Sequence, residues 1–399
     1  MSTFISLAEL ETPATARPSV WRTGLGFRPF FLLGALHAAA VVLGWAGTMA
    51  GWWSVGDLGW HAREMVYGFG GAIIAGFLLT AVPRWTETRP LVGPPLAALV
   101  TLWLAGRVSA AVIGPGLPTT LVVSGFLLAL TIAIARPIWR AGRAANHPVW
   151  LVIGAFALCA LFEQLDASGH GPGFPVPRQA GVLLVAALMG LIGGRVIPFF
   201  TRSRLGDGIG VGAPWPWLER TSLFATAAAV PLAIIGPAAP GTAAVLLLAG
   251  AAHLLRLSRW HVPAVWREPM LAILFVGYGW LGLGLLLAGV SILAPVVVPA
   301  SVALHALTAG AMGCLIIGMM ARVTRGHTGR ALRADAATLT LFAFVALAAL
   351  ARVFGPWFAP AHAIAALQLA GLAWTLAFTG FALRHGPMLL SPRVDGKPG

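Results

Sequence analysis

The chain has 399 residues, of which 58% are hydrophobic and only 10% are charged, and its formal net charge is +14. Soluble domains usually carry about 25% charged residues, so a soluble fold would have too few charges for its surface. The composition excludes an ordinary soluble protein and predicts an integral membrane protein.

Long hydrophobic runs recur along the chain, and most of them approach the ~20 residues that a helix needs to cross a bilayer. They lack the alternation of a membrane β-barrel, so they predict helices. We expect an all-α integral membrane protein, a bundle of about twelve transmembrane helices. The expected transmembrane domain is 28–384, between short cytoplasmic tails at 1–27 and 385–399. The predicted spans are 28–50, 60–83, 92–113, 118–136, 147–166, 178–199, 218–236, 240–257, 269–290, 298–320, 337–355 and 360–384.

The positive charges follow the predicted topology. With an even number of spans both termini share one side, and 21 of the 26 Lys and Arg residues fall there. This bias predicts that both termini are cytoplasmic. The basicity then reflects topology and contact with the lipid bilayer, and no nucleic-acid partner is expected.

Three spans end in a similar way, which suggests an internal repeat. Thr86, Thr201 and Thr324 follow the second, sixth and tenth spans and lie 115 and 123 residues apart. These intervals match three units of four helices, although similar helix ends also recur by chance. Transporters with twelve spans usually repeat as two halves instead.

The two cysteines, Cys159 and Cys314, both lie in apolar spans, where small core residues are expected. The chain has no CxxCH segment, so any haem would be held without a covalent bond.

Among the ten histidines, we place His37, His61 and His305 at membrane depth, where ionisable groups are costly and usually functional. Neutral imidazole is a good ligand for haem iron, and an apolar bundle can bury a porphyrin. His61 and His305, near the outer ends of the second and tenth spans, are the main candidates. The alternative is that these rings make interhelical hydrogen bonds.

Several other polar residues have a candidate binding role and an ordinary structural alternative. Arg63 and Arg352 lie near the outer side and could pair with haem propionates or with ordinary carboxylates. Glu64 could pair with Arg63 or orient His61. His327 could bind a metal or an anion, or be a solvated loop residue. We predict loop or helix-end positions for His147, His170, His261 and His385, and interfacial positions for His253 and His362.

Several segments together resemble the NnrS family of bacterial membrane proteins, over about 27–383. They are Phe27-Arg28-Pro29-Phe30-Phe31, Trp60-His61-Ala62-Arg63-Glu64-Met65, Gly76-Phe77-Leu78-Leu79-Thr80-Ala81-Val82-Pro83, Arg195-Val196-Ile197-Pro198-Phe199-Phe200-Thr201, Leu304-His305-Ala306-Leu307-Thr308 and Gly326-His327-Thr328-Gly329-Arg330.

The resemblance implies a protein of the bacterial inner membrane that contains haem, of type b, and copper, and that is linked to the response to nitric oxide. Two positions depart from the family's pattern. Arg63 stands where a second histidine is usual, and Phe275 stands where another histidine is common. Because two metal-ligand positions are missing, we expect less than one copper per chain.

The helix arrangement also resembles the main subunit of haem-copper oxidases, which has twelve spans and holds its low-spin haem with histidines of the second and tenth. His61 and His305 fall on those spans, whereas the chain has no histidine between His170 and His253 for the catalytic copper. Counted from Thr86 and Thr324, His61 is 25 residues away and His305 only 19, a mismatch of ~9 Å.

Three functions remain open at this stage. The chain could be a haem-binding protein that handles or senses nitric oxide, a transporter of a small molecule or metal complex, or a scaffold for respiratory enzymes. It carries no nucleophilic triad, phosphate-binding loop or zinc motif, so no enzyme class is assigned. The sequence leaves the oligomeric state open.

Overall fold

The computed structural model describes residues 24–171, 178–206, 208 and 210–397. Within them the chain forms twelve helices long and apolar enough to cross a membrane, and no strand. Most of the predicted tail at 1–27 lies outside the described residues. The helices are α1 Phe27–Met49, α2 Leu58–Thr86, α3 Pro94–Val112, α4 Leu117–Ala141, α5 Ala144–Ala167, α6 Gln179–Leu205, α7 Pro216–Ile235, α8 Pro240–Trp260, α9 Pro269–Leu293, α10 Ala300–His327, α11 Ala336–Phe358 and α12 Pro360–Leu390.

The order of the helices confirms the predicted all-α bundle. Because twelve crossings return the chain to its starting side, Phe27 and Leu390 lie at the same end of the bundle, which we call the terminal end. The other end is the distal end. Proline at the first helical positions begins many helices, where its missing N–H would lack a partner in any case.

The last helix continues beyond its predicted end at residue 384 and stops at Leu390. Arg28 explains where it stops, because its Nη1 donates to the carbonyl oxygens of Leu389 at 2.8 Å and Ser391 at 2.7 Å. A guanidinium at a helix C-terminus satisfies carbonyl groups that have no partner in the helix. This contact ties α1 to α12 at the terminal end.

Four helices form the centre of the bundle. The most hydrophobic stretches of α2, α6, α9 and α10 have 67–78% of their residues buried, against 28–44% for the other eight among the described residues. The three threonines of the predicted repeat, Thr86, Thr201 and Thr324, are buried at the terminal ends of α2, α6 and α10. Cys159 and Cys314 are buried and unpaired, as predicted.

Two of the central helices contain a π-helical segment directly after a candidate histidine. In α2 it covers Glu64–Phe69 and in α10 it covers Ala306–Met312. Each follows one short α-helical turn that contains His61 or His305. A π-helical turn widens the helix, leaves a backbone carbonyl free and is often found at functional sites. Both segments contact α6.

Close packing of α8 against α9 depends on glycine. A methyl group at Gly250 would come within 2.7 Å of the carbonyl oxygen of Gly282. Membrane helices commonly use such small residues to bring their backbones together. This contact holds α8 against α9 and places their polar residues next to each other.

Candidate functional site at the distal end

His61 lies three residues into α2, about 5 Å along the helix from its distal end. The ring is half-buried and stacks on Trp45 of α1, with centroids 5.3 Å apart and an angle of 22° between the rings. Its Nδ1 is buried and has no hydrogen-bond partner among the described residues. A buried imidazole nitrogen without a partner is a candidate ligand atom.

His305 lies five residues into α10, about 8 Å from the distal end of that helix. Its Nδ1 is 2.8 Å from the carbonyl oxygen of Ser301, one turn earlier. A carbonyl only accepts, so Nδ1 carries the proton and the lone pair remains on Nε2. Backbone hydrogen bonds of this kind orient metal-binding histidines.

Arg352 of α11 lies within electrostatic range of both imidazoles, and His61 lies within the same range of His305. Measured from the distal ends of their helices, the two histidines differ by two residues, or about 3 Å, so the counted mismatch of ~9 Å is smaller in the fold. The reason is that α2 ends at Thr86, whereas α10 continues past Thr324 to His327.

Arg352 is half-buried, and among the described residues it makes no ion pair or hydrogen bond. A guanidinium inside a membrane protein is costly unless an anionic or carbonyl partner meets it. Two imidazole nitrogens and one unpaired guanidinium form the set of groups that haem needs, since imidazole binds iron and guanidinium binds a propionate. The residues at this position therefore fit the cofactor.

Aromatic side chains pack together along the distal part of α11, which also carries Arg352. Trp280 of α9 packs on Phe354 of α11, with centroids 5.6 Å apart, and Phe354 stacks on Phe358. Trp357 Nε1 donates to the carbonyl oxygen of Val297 at 2.8 Å, which fixes the distal end of α11. These rings provide an apolar environment beside Arg352.

A second polar cluster lies in α1, α2 and α3, beginning three residues after His61. Arg107 Nη1 is 2.7 Å from both carboxylate oxygens of Glu64, which is only 3% exposed. His37 Nε2 lies 3.1 Å from Glu64 Oε2. The proposed pairing of Glu64 with Arg63 is therefore wrong, because the carboxylate is taken by Arg107 and His37.

The same cluster holds the π-helical segment of α2 in place. Trp103 Nε1 donates to the carbonyl oxygen of Gly68 at 3.0 Å, and its ring meets His37 edge to face at 5.5 Å. A methyl group at Gly68 would come within 2.6 Å of Arg107 Nη1. The cluster therefore positions the backbone that carries His61.

The other candidate residues lie apart from this pair. The contacts described for His37 are with Glu64 and Trp103. Arg63 is half-buried and makes no ion pair among the described residues. His327 lies 22 residues after His305 on α10, about 33 Å away, where its ring packs on Phe27 and faces cations.

Metal sites with three ligands are absent from the described part of the chain, where no three His, Cys, Asp or Glu side chains converge. An apolar cavity of about 100 Å³ lies between α1, α2, α6, α9 and α10, on the terminal side of the π-helical segments. At the distal edge of this cavity, the side chain of Met312 in α10 packs against Gly70 of α2. Drug-sized ligands need about 300–1,000 Å³, so this cavity suits only a very small apolar molecule.

Arg256 of α8 centres a third polar cluster, between α6, α7 and α9. The side chain is 2% exposed and donates to both carboxylate oxygens of Glu219, at 3.1 and 2.5 Å. Its Nη1 donates to Tyr278 Oη at 2.7 Å and to the carbonyl oxygen of Gly190 at 3.2 Å.

His253 continues this hydrogen-bond network. Because Arg256 only donates, Tyr278 accepts from it and gives its own proton to His253 Nδ1 at 2.8 Å. His253 Nε2 then donates to Thr226 Oγ1 at 3.0 Å, and Thr226 donates to the carbonyl oxygen of Ser222 at 2.7 Å. The predicted interfacial position of His253 is wrong, since the residue is fully buried.

His385 also differs from its predicted helix-end position, because α12 extends past it and its ring is fully buried against Phe381. His170 and His261 are exposed at loop or helix-end positions, as predicted, and His362 is exposed at the start of α12. Spacing along the chain does not reveal the burial of His253 and His385, which depends on which neighbouring helix covers them.

The comparison with protein families gives one match. The model of the NnrS protein family covers residues 21–393, almost the whole chain. A search of curated proteins finds no match.

Proposed function

The chain belongs to the NnrS family, and on that premise we propose that it binds haem b in the membrane and handles or responds to nitric oxide. The proposal rests on the positions of His61 in α2 and His305 in α10, each near the distal end of its helix. Arg352 of α11 lies within electrostatic range of both rings, and His61 Nδ1 is buried without a hydrogen-bond partner among the described residues. A closed structural network would leave no such groups without partners.

His61 and His305 are the residues that would hold the haem iron. The Ser301 carbonyl fixes the tautomer of His305 so that Nε2 faces away from its own backbone contact. Arg352 would neutralise a propionate, which supplies the missing anion. When bound, haem would supply an iron that can bind a diatomic gas if one of the two imidazoles is labile.

The apolar cavity supports a small uncharged ligand. Its walls include Phe31, Ile73, Leu188 and Leu274, and all its lining residues are apolar. Such a volume offers no hydrogen bonds to an ion but accommodates a diatomic gas dissolved in the membrane. We place the protein in the bacterial inner membrane with both termini cytoplasmic, because the terminal end carries most of the arginines.

A transporter is the second candidate, and the buried cluster of Glu64, Arg107 and His37 favours it. Ionisable groups at this depth commonly mark substrate or proton pathways. Vesicles that contain the protein would then take up a substrate, and the Glu64→Gln variant would lose that uptake.

The proposal is tested by the visible absorption spectrum and haem content of the purified protein. We expect a Soret band with about one haem per chain, and a shift of that band when nitric oxide is added. His61→Ala and His305→Ala should each lose most of the haem. His362→Ala is the matched control, because His362 is exposed at the distal end and lies outside the site.

A colourless protein would overturn the proposal if thermal unfolding and size-exclusion chromatography show that it is folded. Normal haem content in both histidine variants would also overturn it. Metal analysis of the same samples should give less than one copper per chain, since Arg63 and Phe275 replace two family histidines. Stoichiometric copper would mean that ligands other than these two positions bind it.

A further inference from the structure

A cavity of about 440 Å³ opens at the terminal end, far from the histidine pair. Three arginines from separate elements meet there. Arg325 comes from α10, Arg330 from the loop that follows it and Arg384 from α12. The remaining lining residues are Leu383, Pro387, Met388 and Ser391.

The arginines of this pocket outnumber their acidic partners. Asp335 pairs with Arg325 at 2.8 Å and also with Arg384. Arg330 makes one hydrogen bond among the described residues, a long one of 3.4 Å to the carbonyl oxygen of Thr328. In the described part of the chain, the three guanidinium groups of this pocket therefore exceed their one paired carboxylate by two positive charges.

Arg325 provides a second sign of a missing partner. The residue is 9% exposed, and its Nε is a buried donor without a hydrogen-bond partner among the described residues. Burial lowers the pKa of Arg330, and the cations Arg325 and Arg384 lower it further. An anion between the three groups would satisfy the donor and relieve the repulsion.

We propose that this pocket binds a phosphate group, either the headgroup of an anionic phospholipid or free phosphate. Guanidinium groups match phosphate oxygens through paired N–H donors, and three of them converge here from different elements. The opposite wall is apolar, and Leu383 at its edge is 74% exposed. This amphipathic lining suits a phosphate group at the membrane surface.

The test uses the full chain in uncharged detergent and follows the unfolding temperature. Inorganic phosphate is added in one arm, with sodium chloride of equal ionic strength as its control. Phosphatidylglycerol is added in the other arm, with phosphatidylcholine as its control. Stabilisation by both ligands identifies a general phosphate site, and stabilisation by phosphatidylglycerol alone identifies a lipid site.

Arg330→Ala should raise the ligand concentration for half-maximal stabilisation about 10- to 100-fold, because hydrogen bonds to a charged group are lost. Arg333→Ala is the matched control, since Arg333 lies in the same loop but is exposed. Arg330→Lys keeps the charge without the planar pair of donors, so its loss should be smaller. It also supplies the comparison if the alanine variant does not fold.

Two results would overturn the proposal. In the first, neither ligand stabilises the protein beyond its control. In the second, Arg333→Ala weakens binding as much as the Arg330 variants, which would reveal only general attraction of anions to a basic surface.

Discussion

Two regions of the bundle use the same residue types in opposite ways. Around Arg256, every charged or polar group has a partner in the protein, and the hydrogen bonds run in one direction from Arg256 to Ser222. Around Arg352, the guanidinium lies within electrostatic range of two imidazoles, and it makes no ion pair with a carboxylate in the described part of the chain. We call the first the closed region, because its polar groups have partners, and the second the open region, because the guanidinium has none among the described residues.

This difference separates structural polar groups from groups that await a ligand. A buried network with all partners present rigidifies the helices that contribute to it. A set of buried groups without partners costs free energy in the empty protein and is retained when a ligand supplies what is missing. Judged by residue type alone, His253 and His305 would be equally good candidates for binding a ligand.

Breaking the closed region should give the largest effect. Arg256→Met removes the donors to Glu219 and Tyr278 and leaves a carboxylate in the bundle, so we expect the free energy of unfolding to fall by about 3 kcal/mol. Denaturation in mixed micelles measures it, and the haem content of the folded fraction should stay unchanged. Arg220→Met, at an exposed position of α7, should change stability by less than about 0.5 kcal/mol. Equal effects of the two variants would mean that the network is not structural.

Removing the charge of the open region should have a smaller effect of the opposite sign. Arg352→Leu should stabilise the haem-free protein by about 1 kcal/mol, because an unpaired guanidinium near a helix end is replaced by an apolar group. The haem content should fall. Arg107→Leu is the contrasting variant, since it leaves Glu64 unpaired and should destabilise the protein. Loss of stability in Arg352→Leu would show that Arg352 has a partner within the protein.

The smallest effect is expected at Asp335. This carboxylate has partners, as groups in the closed region do, but two arginines share its single negative charge. Burial by itself raises the pKa of Asp335, but hydrogen bonds from Thr338, Arg325 and Arg384 outweigh it and hold that pKa well below its usual value. The contribution to stability is therefore complete above the unfolded-state pKa of about 4 and is lost as the pH falls towards the lowered native value.

Asp335→Asn should remove this contribution. The side chain is 35% exposed, so solvent screening limits the loss at pH 7 to less than about 1 kcal/mol. Unfolding measured between pH 3 and 7 should show the wild-type advantage shrinking only below about pH 4. A constant difference across that range would show that the lowered pKa does not contribute to folding.

Much of the architecture could be read from the sequence. The hydrophobic runs predicted all twelve helices, because crossing hydrocarbon requires long stretches with satisfied backbone groups. Charged side chains inside apolar spans need polar partners, and Arg107 pairs with Glu64 while Arg195 donates to Asn146 and Ala145. The partner of Glu64 was not predicted correctly, because Arg63 is adjacent in sequence whereas Arg107 is adjacent in space.

The sequence by itself determined that the chain is a twelve-helix membrane protein and that His61 and His305 lie near the distal ends of their helices. Hydrophobicity and helical rise are local properties, so one chain suffices to read them. Only the tertiary structure decided which polar groups meet. Helix rotation, the π-helical segments and the packing of α11 place Arg352 beside two imidazoles and bury His253, and these depend on contacts between residues far apart in the chain.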